Sequence, residues 1–351
     1  MVELVNKIAL KELNLDQLTD LLLSWGEKPF RAKQIRQWMF GNLVQDFDEM
    51  VNLPKQLRDK LARYTVLNLV TIKTVQHSSR ENTKKYLFKL NDGQLIEGVL
   101  MDYRYGNTAC LSTQVGCRMG CSFCASTLGG LIRNLKAGEI LDQLISMARD
   151  LKAKGEKISR VVLMGTGEPL DNWKEVRRFL EYVHQPDCFN LGYRKITIST
   201  CGLVPEIISL AEEQIPINLA ISLHAPNDQL RNKLMPINYK YSIQELLAAC
   251  RYYINKTNRR ITFEYTLIEG INDSKDCAVQ LAHILSDLLC HVNLIPLNPI
   301  KEKDFDRSKL RIVNDFKEIL EEKGIRVTVR RKLGLDIDAA CGQLRRKYEK
   351  D

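Results

Sequence analysis

From about residue 137 the chain alternates amphipathic stretches with short apolar runs, and this alternation limits the fold more than any other feature. Helical spacing predicts helices over 137–154, 173–183, 205–213, 242–254, 276–289 and 309–323. Between them, apolar runs predict strands over 160–164, 195–199, 217–223, 261–267, 291–296 and 325–330. Such repetition implies a parallel sheet with helices outside it. Six or so units fall short of a closed eight-fold barrel, so the expected class is α/β, a partial (β/α)6 barrel. Upstream, 67–115 reads as strands. The runs 86–90 and 95–103 flank Asn91-Asp92-Gly93, a hairpin signal, and 108–115 alternates like a strand. Residues 1–66 read as a helical module. Asn14 is its first N-cap, Gly26 a stop, and Pro54 opens a helix over 55–64. Arg31, Lys33 and Arg36 offer that module a basic face that can hold RNA, or an ordinary solvated one. The expected divisions are 1–66, a hairpin extension 67–106, a barrel 107–332 and a tail 333–351.

Just before the alternation begins stand Cys117, Cys121 and Cys124, spaced C-x3-C-x2-C, with Gly116 and Gly120 free to turn the backbone. Three converging thiolates suit a soft metal centre. A 4Fe–4S cubane wants four protein thiolates, so three leave one iron open to an outside ligand. The alternative is a structural zinc site, which needs a fourth ligand. No His lies between 78 and 183, and Cys110 would be carried away on its strand.

In barrels of this shape, chemistry collects at the carboxyl ends of the strands. There the sequence places the cysteine loop, Gly165-Thr166-Gly167-Glu168-Pro169, Ser199-Thr200-Cys201-Gly202, Ser222-Leu223-His224 and Pro296-Leu297-Asn298-Pro299. The open iron calls for a chelator bearing an amine and a carboxylate. Gly167 and Glu168 can meet an ammonium, Ser199 and Ser222 a carboxylate or ribose, and Asn298 an adenine edge or ribose. His224 is taken as a further cofactor contact. Taken alone, each is more often a turn-former or cap than a ligand.

Composition narrows the partners. Net charge is +9, favouring a polyanion such as nucleic acid. No apolar run is long enough for a membrane span, and no signal peptide is visible, so a cytoplasmic protein is expected. In that compartment ten cysteines are thiols, metal ligands or transient redox partners rather than a disulfide scaffold. Cys188, Cys201, Cys250, Cys277 and Cys290 read as packing residues.

The cysteine triplet followed by Gly-Glu-Pro resembles the radical S-adenosylmethionine (SAM) superfamily. More narrowly, Gly334-Leu335-Asp336-Ile337-Asp338-Ala339-Ala340-Cys341-Gly342-Gln343-Leu344 closely resembles the tail of the RlmN/Cfr RNA adenine methyltransferases. The likeness covers nearly the whole chain, including Ile96-Glu97, Cys110 ahead of Ser112–Cys117, Ser222-Leu223-His224 and Leu234-Met235-Pro236-Ile237-Asn238. It implies a radical-SAM partial barrel, a 4Fe–4S cluster on Cys117, Cys121 and Cys124, and SAM bound by Gly167, Glu168, Ser199, Ser222, Leu223, His224 and Asn298. It further implies that one SAM methylates Cys341 and a second, cleaved at the open iron, supplies a radical that activates that methyl group. Addition to the base then follows. Glu97 matches the family's proton acceptor, and Cys110 the cysteine that releases product by forming a Cys110–Cys341 disulfide.

The implied substrates are an adenosine in the peptidyl-transferase region of 23S rRNA and the adenosine beside the anticodon in some tRNAs. A flavodoxin- or ferredoxin-like reductant is implied as well. Gly167-Glu168-Pro169-Leu170 fits the carbon-2 branch, whereas carbon-8 enzymes tend to carry Ala in place of that Pro. Thr166 stands where Met is common, and Leu335 where a polar residue is common. Arg330, Arg331, Lys332, Arg345, Arg346 and Lys347 flank the tail motif and suit phosphate contacts. The other readings are a carbon-8 methyltransferase, another radical-SAM activase, and a zinc-stabilised RNA-binding protein. The activase would need none of Cys341, Cys110 and Glu97.

Overall fold

A computed structural model describes residues 7–300, 302–331, 334, 336, 337 and 343–349. Cys341, together with Leu335 and Lys332, lies outside these described residues, and so does the side chain of Arg346.

The helical module begins with a short strand, β1 (Ile8–Ala9), and α1 (Leu15–Ser24). Asn14 caps α1 as expected, in a reciprocal box with Gln17. Then come α2 (Phe30–Arg36), α3 (Lys55–Tyr64) and β2 (Thr65–Val66), which pairs with β1. Arg36 departs from the expected basic face. It is fully buried, and its guanidinium grips Asp187 and Gln185 at 2.5 Å each. Ile35, Arg36 and Met39 are all buried, because the helix packs Arg36 against the barrel rather than water.

Next follow β3 (Val70–His77), β4 (Thr83–Leu90), β5 (Leu95–Tyr103) and β6 (Gly106–Cys110), each antiparallel to its predecessor. The β4–β5 turn falls at the expected Asn-Asp-Gly, with Gly93 at φ +87°. The expected strand over 108–115 divides. After Cys110 the chain leaves β6, and β7 (Gln114–Gly116) pairs instead with β8 (Leu131–Asn134). Gly116 allows this, since a Cβ there would sit 2.0 Å from the Gly130 carbonyl oxygen.

Beyond β8 the alternation unfolds in order. It runs α4 (Ala137–Lys152), β9 (Ile158–Leu163), α5 (Trp173–His184), β10 (Ile196–Thr200), α6 (Val204–Glu213) and β11 (Asn218–Ser222). It continues with α7 (Asp228–Leu234), α8 (Ile243–Thr257), β12 (Ile261–Leu267), α9 (Lys275–Leu285), β13 (Cys290–Pro296), α10 (Leu310–Glu322), β14 (Val327–Val329) and α11 (Gln343–Glu349). One sheet takes ten strands in the order β14-β13-β12-β11-β10-β9-β6-β5-β4-β3. Six helical crossovers join β6 and β9–β14 in parallel, and among the described residues β3 and β14 are the outermost strands, so the barrel is partial. The hairpin strands are hydrogen-bonded into this sheet through β5 and β6 rather than standing apart.

The module is fastened to α4 by a buried ion pair, Lys11 with Asp142, each at most 1% exposed. The other carboxylate oxygen of Asp142 accepts the amides of Leu69 and Val70 at 2.6 and 3.0 Å. A buried charge is tolerable only when so surrounded. The same carboxylate therefore fixes both the module and the start of β3 on the barrel.

Candidate functional site

Cys117, Cys121 and Cys124 open the site. Gly120 at φ +71° bends their loop, the Ser122 amide donates to the Leu234 carbonyl at 2.9 Å, and Thr127 Oγ1 bridges the carbonyls of Cys121 and Cys124. So α7, which the periodicity did not reveal, holds the cysteine loop in place. All three cysteines line one cavity of about 240 Å³, open at its mouth, alongside Gly167, Glu168, Ser199, Ser222 and His224.

The donor set suits a metal centre. Burial first, with Cys124 and Glu168 adding to it, pushes the Cys117 thiol up to about 12. Cys121 is pushed higher, by burial first and then by Cys124 and Cys117. Thiolates so placed repel one another unless cations lie between them. Among the described residues no trio of His, Cys, Asp or Glu closes on a single ion. The three thiols do line one cavity, and three thiolates on one loop suit a soft metal centre.

Glycine determines the second wall. Gly165 and Gly167 follow β9 and press against the backbone after β6. A Cβ on Gly165 would lie 2.6 Å from the Leu111 carbonyl oxygen, and one on Gly167 would lie 2.7 Å from Thr113 Oγ1. Gly167 also sits at φ +118°, open to glycine alone at low cost. Glu168 is buried, and burial raises its carboxyl above the usual range. Its oxygens already accept the amides of Leu170 at 3.1 Å and Cys201 at 2.7 Å. The side chain therefore clasps the β9 and β10 loops together, leaving backbone carbonyls of the turn as further acceptors for an ammonium group.

His224 occupies the left-handed region at φ 56° and is buried against the edge of Phe123. Its Nδ1 accepts the Thr266 amide at 2.9 Å, so the ring's proton in the neutral form sits on Nε2. Burial, and then the charge of Arg231, hold it down to about 3. Leu223 is buried and its amide donates to the Glu264 carbonyl. Asn298 is exposed, with its amide oxygen accepting from Arg307 at 2.7 Å. Neither Leu223 nor Asn298 is among the described residues lining the cavity.

Several lining or supporting residues were not legible beforehand. Cys201, read as packing, lines the cavity, as do Met164, Met235, Glu264 and Arg330. Arg231 is fully buried and donates to the carbonyls of Cys201, Ser222 and Leu223 and to Asn238 Oδ1. It ties the ends of β10 and β11 together beneath the cavity. Only its place just before Leu234-Met235-Pro236-Ile237-Asn238 hinted at this.

A second cluster lies on the neighbouring strands. By pattern alone Glu97 would be a solvent-facing carboxylate, but it is 2% exposed. Lys85 Nζ, itself buried, donates to its Oε2 at 2.7 Å. Its Oε1 accepts the backbone amide of Arg345 at 2.5 Å. Cys110 stands opposite Val99, two residues beyond Glu97 and on the same face. Val99, Met101 and Cys110 pack together, with Met164 against them. Met164 thus touches both this cluster and the cavity of the three cysteines.

Residues 111–280 match the family model of the radical SAM superfamily, and residues 8–67 that of the ribosomal RNA large subunit methyltransferase N-terminal domain. A probable dual-specificity RNA methyltransferase RlmN of Desulforamulus reducens is 55% identical over 344 residues, spanning 98% of this chain and 97% of that one. Another, from Alkaliphilus metalliredigens, is 54% identical over 347 residues, spanning 99% and 97%. The crystal structure of a radical SAM methyltransferase from Sphaerobacter thermophilus superposes with a TM-score of 0.93 at 47% identity, covering 96% of this chain and 98% of that one.

Proposed function

The chain belongs to the RlmN family of radical SAM RNA methyltransferases, and from that premise we propose that it methylates carbon 2 of adenosine in 23S rRNA and tRNA by way of a methyl group carried on Cys341. The observation that carries this reading is the contact between Glu97 and Arg345. It brings the chain four residues past Cys341 onto the strand that bears the proton acceptor, beside Cys110.

Cys117, Cys121 and Cys124 would hold the cluster. That group would supply one-electron cleavage of the sulfonium of SAM. Around it, turn carbonyls at Gly167 and Glu168 receive the ammonium of the cofactor. Ser199, Ser222 and the Nε2–H of His224 offer donors to its carboxylate and ribose. Leu223 shapes the β11 end from outside the cavity lining, and the family pattern assigns Asn298 to the adenosine side.

Cys341 is the nucleophile that accepts the methyl group, since a thiolate displaces readily at a sulfonium carbon. Glu97, buried against Lys85, takes the proton that the adenine ring must lose. Cys110 then attacks the alkylated sulfur of Cys341, freeing the methylated base and leaving a transient disulfide for reduction. A flavodoxin- or ferredoxin-like donor in the cytoplasm supplies the electrons.

The target base must leave its stack to reach this cluster, which costs roughly a few kcal/mol. Phosphate contacts from Arg331 and Lys347, both exposed, offset that cost. Pro169 supports carbon 2 over carbon 8. Among the described residues no helix is long and apolar enough to cross a membrane. The test is mass spectrometry of RNA fragments after turnover. A new methyl group on carbon 2 is expected; one on carbon 8, or none, overturns the proposal.

A further inference from the structure

The turn between β5 and β6 carries two tyrosines that the reaction described above leaves idle. Tyr103 and Tyr105 stack on each other, with ring centroids 4.9 Å apart and planes 11° from parallel. Arg160 lays its guanidinium over the Tyr105 ring, 4.7 Å from the centroid. Local geometry builds this stack. Gly106, at φ +108°, turns the chain so tightly that a Cβ there would lie 2.3 Å from Ser159 Oγ. That close approach seats β6 on β9, with Thr108 opposite Arg160, and so delivers Arg160 to the tyrosines.

One end of the stack is fixed and the other is open. Tyr103 packs against the cluster of Val99, Met101 and Cys110, and its hydroxyl donates to Met101 Sδ at 3.6 Å. Tyr105 is 56% exposed, and Arg160 is exposed as well. Charge indicates what would cover them. Exposed Arg104 separates the two tyrosines in sequence, and Arg160 stands over Tyr105. Of the charges acting on Tyr103, that of Arg330 is the largest and that of Glu81 the smallest. Arg330 also lines the cavity of the three cysteines, so this cationic flank is continuous with the site. Unpaired RNA offers flat rings and negative charge together, whereas a paired helix keeps its base faces covered.

Register separates the stack from the reacting position. Tyr103 lies opposite Gly106, and Val99 lies opposite Cys110. The two levels are four residues apart on β5, roughly 14 Å at about 3.4 Å per residue. That is too far for an adenine reacting beside Cys110, and within reach of a neighbouring nucleotide.

We infer that Tyr103, Tyr105 and Arg160 form a stacking platform for an unpaired base that flanks the target adenosine. The inference rests on the RNA substrate proposed above. The rings are ordered before the base arrives, so little side-chain freedom is lost on binding. Every base has a π-face, so one platform serves loops of different sequence.

The test uses the full-length, cluster-loaded enzyme and an RNA hairpin whose loop holds the target adenosine, with 2-aminopurine at each neighbouring loop position in turn. Stacking on a tyrosine quenches the fluorescence of that base. Wild type should quench it at one of these positions. Tyr105→Ala should lose the quench and bind the hairpin roughly 5- to 100-fold more weakly. KM for RNA should rise by the same factor, with kcat within about twofold. Tyr105→Phe, which keeps the ring, should behave as wild type. A fully paired RNA duplex should bind wild type and Tyr105→Ala alike.

Unchanged loop affinity in Tyr105→Ala, equal losses for loop and duplex, or a Tyr105→Phe enzyme as weak as Tyr105→Ala overturns the inference. Should Tyr105→Ala melt early, Arg160→Gln on the same exposed stack decides, with an expected loss of roughly 2- to 30-fold on the loop alone. Wild type that quenches but places no methyl group on carbon 2 would sink the proposed reaction and leave the platform standing. Methylation without quenching would sink the platform and leave the reaction.

Discussion

Glu97 on β5 accepts the backbone amide of Arg345 on α11 at 2.5 Å, across 248 positions of sequence. Its second oxygen takes Lys85 Nζ at 2.7 Å. The carboxylate thereby joins two jobs: it is a buried acceptor and also the place where the tail meets the sheet.

Lys85→Met leaves that carboxylate buried without its cation. Both side chains are at most 3% exposed, so the loss should be about 3–5 kcal/mol. Adding Glu97→Gln should recover part of it. Urea unfolding of the single and double variants measures this. A single variant as stable as wild type would mean that water or another cation takes the place of Lys85.

Cys110→Ala should stall the enzyme with RNA bonded to Cys341, visible as a shifted band on a denaturing gel. Free, methylated RNA in normal yield would argue against the exchange step. Cys341→Ala should abolish methylation and keep its iron. Loss of iron in that variant would make Cys341 a ligand.

His224→Asn tests the buried imidazole. In the fold its proton affinity is held down to about 3, against 6.5 when unfolded. The unfolded state therefore binds more protons below pH 6.5, and stability is lost as pH falls from there toward 3. Asn tolerates the left-handed backbone and can still accept the Thr266 amide, but does not titrate. Denaturant unfolding between pH 7 and pH 4 should show a shallower loss in the variant. Parallel curves would place the acid sensitivity elsewhere.

Gly167→Ala places a methyl group 2.7–2.8 Å from Thr113 and Gln114 on a backbone at φ +118°. The strain should cost at least roughly 1–3 kcal/mol. It should also lift Glu168 from the Cys201 amide and weaken SAM binding, read by equilibrium dialysis. Unchanged affinity would mean that the turn does not shape the cofactor wall.

Much of this was legible in the residues. The hairpin turn sits at Asn91-Asp92-Gly93, Asn14 caps α1, and α3 and β12 have the expected limits because their signals are local. The family motifs led to RlmN relatives and the radical-SAM architecture. Where the reading departed from the fold, a distant partner had intervened. Arg36 looked like surface until Asp187 claimed it, and Glu97 until Lys85 and Arg345 did. Cys201 looked like filler because its neighbours in the cavity arrive from other strands.

Spacing along the chain thus determined most of the elements, though not α7 or the break after Cys110, together with the α/β class and the chemistry that three clustered cysteines can support, since period and local turn geometry are properties of adjacent residues. Only the tertiary structure decided which charges are buried, which loops Arg231 and Glu168 bind together, and that the tail lands on Ser78, Ser79 and Glu97. Those depend on sheet order and register, which bring residues hundreds of positions apart into hydrogen-bonding distance and leave no mark on the residues beside them.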